Sequence, residues 1–164
     1  PKALLYQPTC TINGFLTGYT GMGSKTVLPN KAMAKLDFRL VPHQMPDEIF
    51  GKLVRHLKKC GFGDIEVINH GSTEPVKTPI TDKFVQMVIK TAEKVYNKEA
   101  SVYPTSAGSG PMHLFRNWLG YPVVSVGCGH AESRAHAPNE NITVEGFIKG
   151  TKFIATLVHE FSVS

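Results

Sequence analysis

Residues 32–41 admit one regular conformation. Ala34, Leu36, Phe38 and Leu40 alternate with Lys35, Asp37 and Arg39, a period of two that sorts apolar and charged side chains onto opposite faces of a half-buried strand. Pro42 ends the run. Pro46, Asp47 and Glu48 then open a helix where the chain lacks N–H partners and the dipole favours anions. Ile49, Phe50, Leu53, Val54 and Leu57 form its apolar stripe, Lys58 and Lys59 close it, and Gly61 follows the end. Before this pair, residues 9–18 favour a strand although glycine breaks the run. After it, residues 64–69 alternate again. The order β, β, α, β predicts a small antiparallel sheet with a helix over one face.

A second regime begins beyond residues 71–79, where two prolines, a glycine and several hydroxyl residues mark a boundary. Thr81 is placed to cap a helix carrying Phe84, Val85, Val88, Ile89, Ala92, Val95 and Tyr96. Residues 100–103 read as a short strand, 112–118 as a short helix, and 121–127 as an apolar strand buried on both faces of a parallel or mixed sheet. A last helix starts near Thr143 and runs through Phe147, Ile154, Val158 and Phe161. The histidine-bearing loop 128–141 would then lie at a strand's C-terminal edge, where open α/β sheets bind ligands.

Composition excludes several classes. The 164 residues are 41% hydrophobic and 19% charged, which is globular and neither disordered nor fibrous. No apolar run approaches a membrane span, and the opening residues, Pro1 to Tyr6, are not expected to form a signal peptide, lacking its length and its small-residue cleavage site. The net charge of +5 is spread out, without the basic stripe that nucleic acid requires. Three cysteines without CxxC spacing read as reduced thiols, with the cytoplasm as the default location. The first residue is not Met, and the chain is expected to be a piece of something longer.

Three groups of residues could carry chemistry. Cys128, His130 and His136 match no closed zinc motif. Each histidine is a surface or capping residue, a single ligand to a site built mainly elsewhere, or part of a complete local zinc site. Residues 105–111 hold Ser106, Gly108 and Ser109 ahead of the predicted short helix, either an anion-binding nest or a plain turn. They lack the Lys of a phosphate loop, and Ala107 stands where a serine-nucleophile elbow needs glycine. Arg39 offers a planar fork for a bidentate carboxylate, or a partner for Asp37.

Two motifs in fixed order resemble a known family. Residues 25–30, Lys-Thr-Val-Leu-Pro-Asn, precede residues 37–42, Asp-Phe-Arg-Leu-Val-Pro; residues 127–132 lead to His136-Ala137-Pro138-Asn139-Glu140 before a long helix. This is similar to the co-catalytic zinc amidohydrolases and exopeptidases that include glutamate carboxypeptidase, acetylornithine deacetylase, succinyl-diaminopimelate desuccinylase, aminoacylase and carnosinase. The resemblance covers nearly the whole chain. It implies an α/β protein in two parts: residues 1–74 as part of an α+β lid (dimerisation) domain with an antiparallel sheet, and residues 75–164 as the C-terminal part of an α/β zinc-peptidase catalytic domain.

Position by position, the resemblance makes His136 a ligand of one of two zincs. Arg39 would hold the substrate's carboxylate, with Ser109 and Gly108 binding the same group, and Thr26 would lie near the scissile carbonyl. Substrates would be small peptides or N-acyl amino acids, and the lid would pair two copies as a homodimer. The family's His-x-Asp pair and Glu-Glu pair, which supply most metal ligands and the general base, occur nowhere in this sequence. Such chemistry needs metal-activated water and a carboxylate to move its proton. No catalytic residue is therefore assigned, and the chain alone is expected to be inactive. Rival readings are a homodimerisation module, with residues 64–69 as an open edge strand, and a catalytically dead ligand-binding relative.

Overall fold

The computed structural model describes residues 2–103, 105, 106 and 108–164; Pro1, Pro104 and Ala107 lie outside the described residues. The chain divides into two compact units, Pro1–Pro75 with Thr105–Ser109, and Val76–Pro104 with Gly110–Ser164.

In the first unit, α1 (Lys2–Tyr6) precedes β1 (Thr9–Thr17) and β2 (Ala32–Arg39), which pair antiparallel. Thr9 faces Arg39, Thr11 faces Asp37, Ile12 faces Leu36 and Phe15 faces Ala34, with a bulge between Ile12 and Gly14. Facing residues share one side of a sheet. The bulge therefore puts Ile12 and Phe15, three apart, on the same apolar side as Ala34, Leu36 and Phe38, which strict alternation would forbid. The opposite side carries Thr9, Thr11, Lys35, Asp37 and Arg39.

Helix α2 (Pro46–Lys59) has Pro46 in its first turn and Asp47 and Glu48 beside it. Gly61, at φ +88°, donates its N–H to Lys58 O at 3.1 Å, and Phe62 N–H reaches Leu57 O at 2.9 Å. This paired C-terminal closure requires a left-handed residue, which glycine adopts without steric penalty. The strand predicted at 64–69 does not form. Ile65 and Val67 instead line a cleft with Phe50, Val54, Leu57 and Phe62. Their alternation is satisfied against a helix, and among the described residues no strand lies beside them to complete a ladder and the sheet has two strands.

In the second unit, α3 (Lys83–Tyr96) is capped by Asp82, whose Oδ1 accepts from Phe84 N–H at 2.9 Å. The predicted cap, Thr81, lies one residue too early. Asn97 ends α3 in the left-handed region. Helix α4 (Val144–Ser162) starts at Thr143, whose Oγ1 accepts from Gly146 N–H at 3.0 Å. These two helices enclose the described core: Val85, Val88, Thr91 and Phe153 are buried. Phe84 meets Phe161 edge-on at 6.1 Å, and Tyr96 lies 6.2 Å from Phe153.

The strands predicted at 100–103 and 121–127 are absent, and among the described residues no sheet forms in this unit. A strand meant to be buried on both faces needs a neighbour on each side. Lacking one, Val123 turns both its backbone groups to Thr78 Oγ1, which accepts from its N–H at 3.0 Å and donates to its carbonyl at 2.8 Å. The short helix expected at 112–118 is a five-residue π turn, Leu114–Trp118, preceded by one helical step.

Much apolar surface stays uncovered. Phe147, Ile154, Val158 and Phe161 of α4 are exposed although Phe153 between them is buried. The chain exposes 13301 Å². Two compact domains of half its mass each would expose about 9,700 Å² together.

Candidate functional site

The polar side of β2 ends in Arg39, and this residue is held at two corners. Its Nε–H donates to Asp37 Oδ2 at 2.8 Å, and its Nη1–H donates to Ser109 Oγ at 2.5 Å. Asp37 and Arg39 reach each other because residues two apart in a strand project from the same face. Ser109 arrives from 70 residues downstream, in the short segment that belongs to the first unit. Half-exposed ion pairs contribute roughly 0–1 kcal/mol to stability, so the fold does not depend on this one. The Ser109 hydroxyl, having accepted from Arg39, keeps its own proton to donate.

The rest of that loop is less of a nest than its composition suggests. Gly108 N–H is already given to Ser106 Oγ at 3.1 Å, and Ala107 lies outside the described residues. The following π turn is too short to offer a helix terminus. Donors for an anion come from Arg39 and Ser109. Thr26 sits in the exposed loop between β1 and β2, at the centre of a tight turn closed by Val27 N–H to Lys25 O at 3.0 Å. Among the described residues no hydrogen bond joins it to Arg39 or Ser109.

In the second unit, the loop 128–141 is tied at its base. His130 Nε2 lies 2.9 Å from Asn141 Oδ1, and Asn141 Nδ2 donates to Glu132 O at 3.2 Å and Asn139 O at 3.0 Å. Because the amide nitrogen is spent on two carbonyls, Oδ1 must accept, so His130 carries its proton on Nε2. Glu132 N–H, 3.3 Å from His130 Nδ1, is consistent with this tautomer. Composition marks His130 but gives no sign of Asn141 as its partner.

The start of the loop rests on α4. A Cβ at Gly146 would lie 3.0 Å from Cys128 O, and one at Gly150 would lie 2.9 Å from Cys128 Cβ. Two glycines four apart thus clear one stripe of the helix for Cys128, its carbonyl over Gly146 and its side chain over Gly150.

At the loop's tip, Arg134, His136 and Asn139 all have positive φ, 53°, 62° and 63°, a region that non-glycine residues enter at some energetic cost. His136 is exposed, and its backbone N–H points to Glu140 Oε2 at 3.4 Å. The zinc pair implied by the resemblance asks for several converging donors. Among the described residues no three His, Cys, Asp or Glu side chains converge. One exposed imidazole is a usable donor and not a metal site, so this chain's residues do not fit a binuclear centre by themselves.

Comparison with known proteins gives a consistent neighbourhood. The chain is similar to the M20 family metallo-carboxypeptidase Sso-CP2 of Sulfolobus solfataricus, with 48% identity and a TM-score of 0.83 over 93% of this chain and 35% of that one. It is 30% identical to the Cys-Gly metallodipeptidase dug1 of Schizosaccharomyces pombe, over 94% of this chain and 34% of the relative. The fold is also that of the di-peptidase Dug1p of Saccharomyces cerevisiae, at 23% identity and a TM-score of 0.77 over 98% of this chain and 35% of that one. The chain spans about a third of the length of the curated relatives it matches. The model of peptidase family M20/M25/M40 matches residues 6–160, and the chain belongs to that family.

Proposed function

We propose that the chain is part of a zinc-dependent metallohydrolase that cleaves an amide or peptide bond beside a free carboxylate, as a dipeptidase, carboxypeptidase or N-acyl-amino-acid deacylase. Its share of the work is recognition, with one metal ligand, and alone it is inactive. Residues 1–74 act as part of the lid and residues 75–164 as the end of the catalytic domain. The observation that carries this reading is the contact of Arg39 Nη1 with Ser109 Oγ at 2.5 Å. It gathers a fixed positive fork and a free hydroxyl proton at one point, the donor set that a carboxylate accepts. The names of its relatives agree with it, being a metallo-carboxypeptidase and a metallodipeptidase.

In this reading the substrate's carboxylate bonds to the guanidinium and to the Ser109 hydroxyl together. Holding that end fixes the distance and direction of the bond to be cut, so orientation is settled before reaction. Thr26 lies toward the scissile carbonyl, and Gly108 lets the backbone run close to the anion. His136 is one donor to the metal in the whole protein. The lid also pairs with a second copy, in which case the partner surface is on the β1–β2 unit and not on the absent strand at 64–69.

Arg39→Ala in the full-length enzyme tests the reading. Loss of a charge-assisted bond of about 1.5–3 kcal/mol raises KM for free-carboxylate dipeptides about 10- to 100-fold. C-terminally amidated analogues, which lack the anion, keep their rate. Equal losses on both substrates would remove Arg39 from carboxylate recognition.

A further inference from the structure

Arg39 has two edges that could meet a carboxylate, and the structure closes one of them. Its guanidinium can bind an anion side-on, through Nε and Nη2, or end-on, through Nη1 and Nη2. Asp37 Oδ2 occupies Nε–H at 2.8 Å, so the side edge is taken. Ser109 Oγ accepts one Nη1 proton, and the second Nη1 proton and the Nη2 proton that faces the end edge remain to be given. We propose that Asp37 is a positioning residue that makes Arg39 present its end edge, beside the Ser109 hydroxyl, to the substrate's carboxylate. The inference rests on the carboxylate-anchoring role of Arg39 argued above and adds the residue that aims it.

The strand supplies the rigidity that this role needs. Asp37 and Arg39 are both inside β2, paired across the ladder with Thr11 and Thr9. The ladder restrains both backbone positions, so the carboxylate of Asp37 is a local stop for a side chain with four rotatable bonds. Threonine on β1 beside each of them keeps this patch of the sheet polar. The pair is half-exposed, with side-chain exposures of 51% for Arg39 and 42% for Asp37. Such a pair contributes little to folding, so its effect should be read in substrate binding.

The test is made in the full-length enzyme with Asp37→Ala and Asp37→Asn, each assayed on a dipeptide and its C-terminally amidated analogue. Asparagine keeps an oxygen where Oδ2 accepts the Nε–H; alanine does not. Asp37→Ala is expected to raise KM for the free dipeptide about three- to tenfold, the worth of one hydrogen bond, with kcat little changed and the amidated analogue unaffected. Asp37→Asn is expected to restore KM to the parent value or below. The inference is overturned if the two variants behave alike, or if the loss in Asp37→Ala falls on kcat or equally on both substrates. Arg39→Ala run alongside separates the two claims. If it abolishes the preference for a free carboxylate while neither Asp37 variant moves KM, only the positioning role is lost; if it leaves the preference intact, the anchoring role fails and the positioning role with it.

Discussion

Phe153 is the side chain on which the second unit most depends. It is 3% exposed, packed where α3 and α4 meet, with Tyr96 at 6.2 Å and an interplanar angle of 46°. Truncating a buried phenylalanine to alanine costs about 3–5 kcal/mol, from lost transfer energy and the cavity left behind. About 0.5–1.5 kcal/mol of that is the aromatic pair. A unit of about 80 residues is held by roughly 4–12 kcal/mol in total, so Phe153→Ala removes about a quarter or more of its stability. Phe147, six residues earlier on α4, is 61% exposed, and Phe147→Ala in this chain should stay within about 0.5 kcal/mol. Urea unfolding of this chain followed by far-ultraviolet circular dichroism measures both. If Phe153→Ala lowers stability by less than about 1 kcal/mol, or if the two substitutions cost the same, the α3–α4 contact is not the core and the packing argument fails. Phe153→Leu, which refills most of the space, should recover more than half of the loss.

Two further outcomes follow from named contacts. Glu160 is held below the ordinary glutamate pKa by its hydrogen bond to Lys94 Nζ, with the charge of that ammonium adding to the effect. A depressed carboxylate stabilises the fold at pH above its unfolded pKa and loses that contribution as pH falls through the folded value; Glu160→Gln should therefore be less stable than the parent at neutral pH, with the difference shrinking as the carboxylate takes up its proton in acid, and an unchanged difference in urea midpoint would refute the linkage. Gly150→Ala should fail to give the gain of about 1 kcal/mol that alanine brings inside a helix, because its Cβ would stand 2.9 Å from that of Cys128; a full gain in thermal stability would mean that the loop does not rest there.

The elements that could be read from residue order alone were those whose partner is themselves or solvent. Pro46, Asp47 and Glu48, the stripe from Ile49 to Leu57 and Gly61 mark α2 without reference to anything else. The same holds for α3 and α4, apart from a cap placed on Thr81 where Asp82 has the better reach. β1 and β2 were legible as strands, but the bulge at Asn13 was not, since its only trace is two apolar residues three apart. Strands at 64–69, 100–103 and 121–127 were predicted from pattern and do not form. Apolar alternation records that a face is buried, and a strand exists only if a neighbour lends its backbone. The site shows the same division. Spacing offers no hint that Arg39 and Ser109 meet; only the resemblance links them to one carboxylate. That His130 is locked to Asn141 depends on amide bonds closing a loop, which composition does not record.

The bare side of α4 has a practical meaning for anyone handling the polypeptide. Phe147, Ile154, Val158 and Phe161 present rings and branched chains to water, and such surfaces find one another when nothing else arrives first. Synthesised by itself, the chain would cling to chaperones, dye molecules or its own copies.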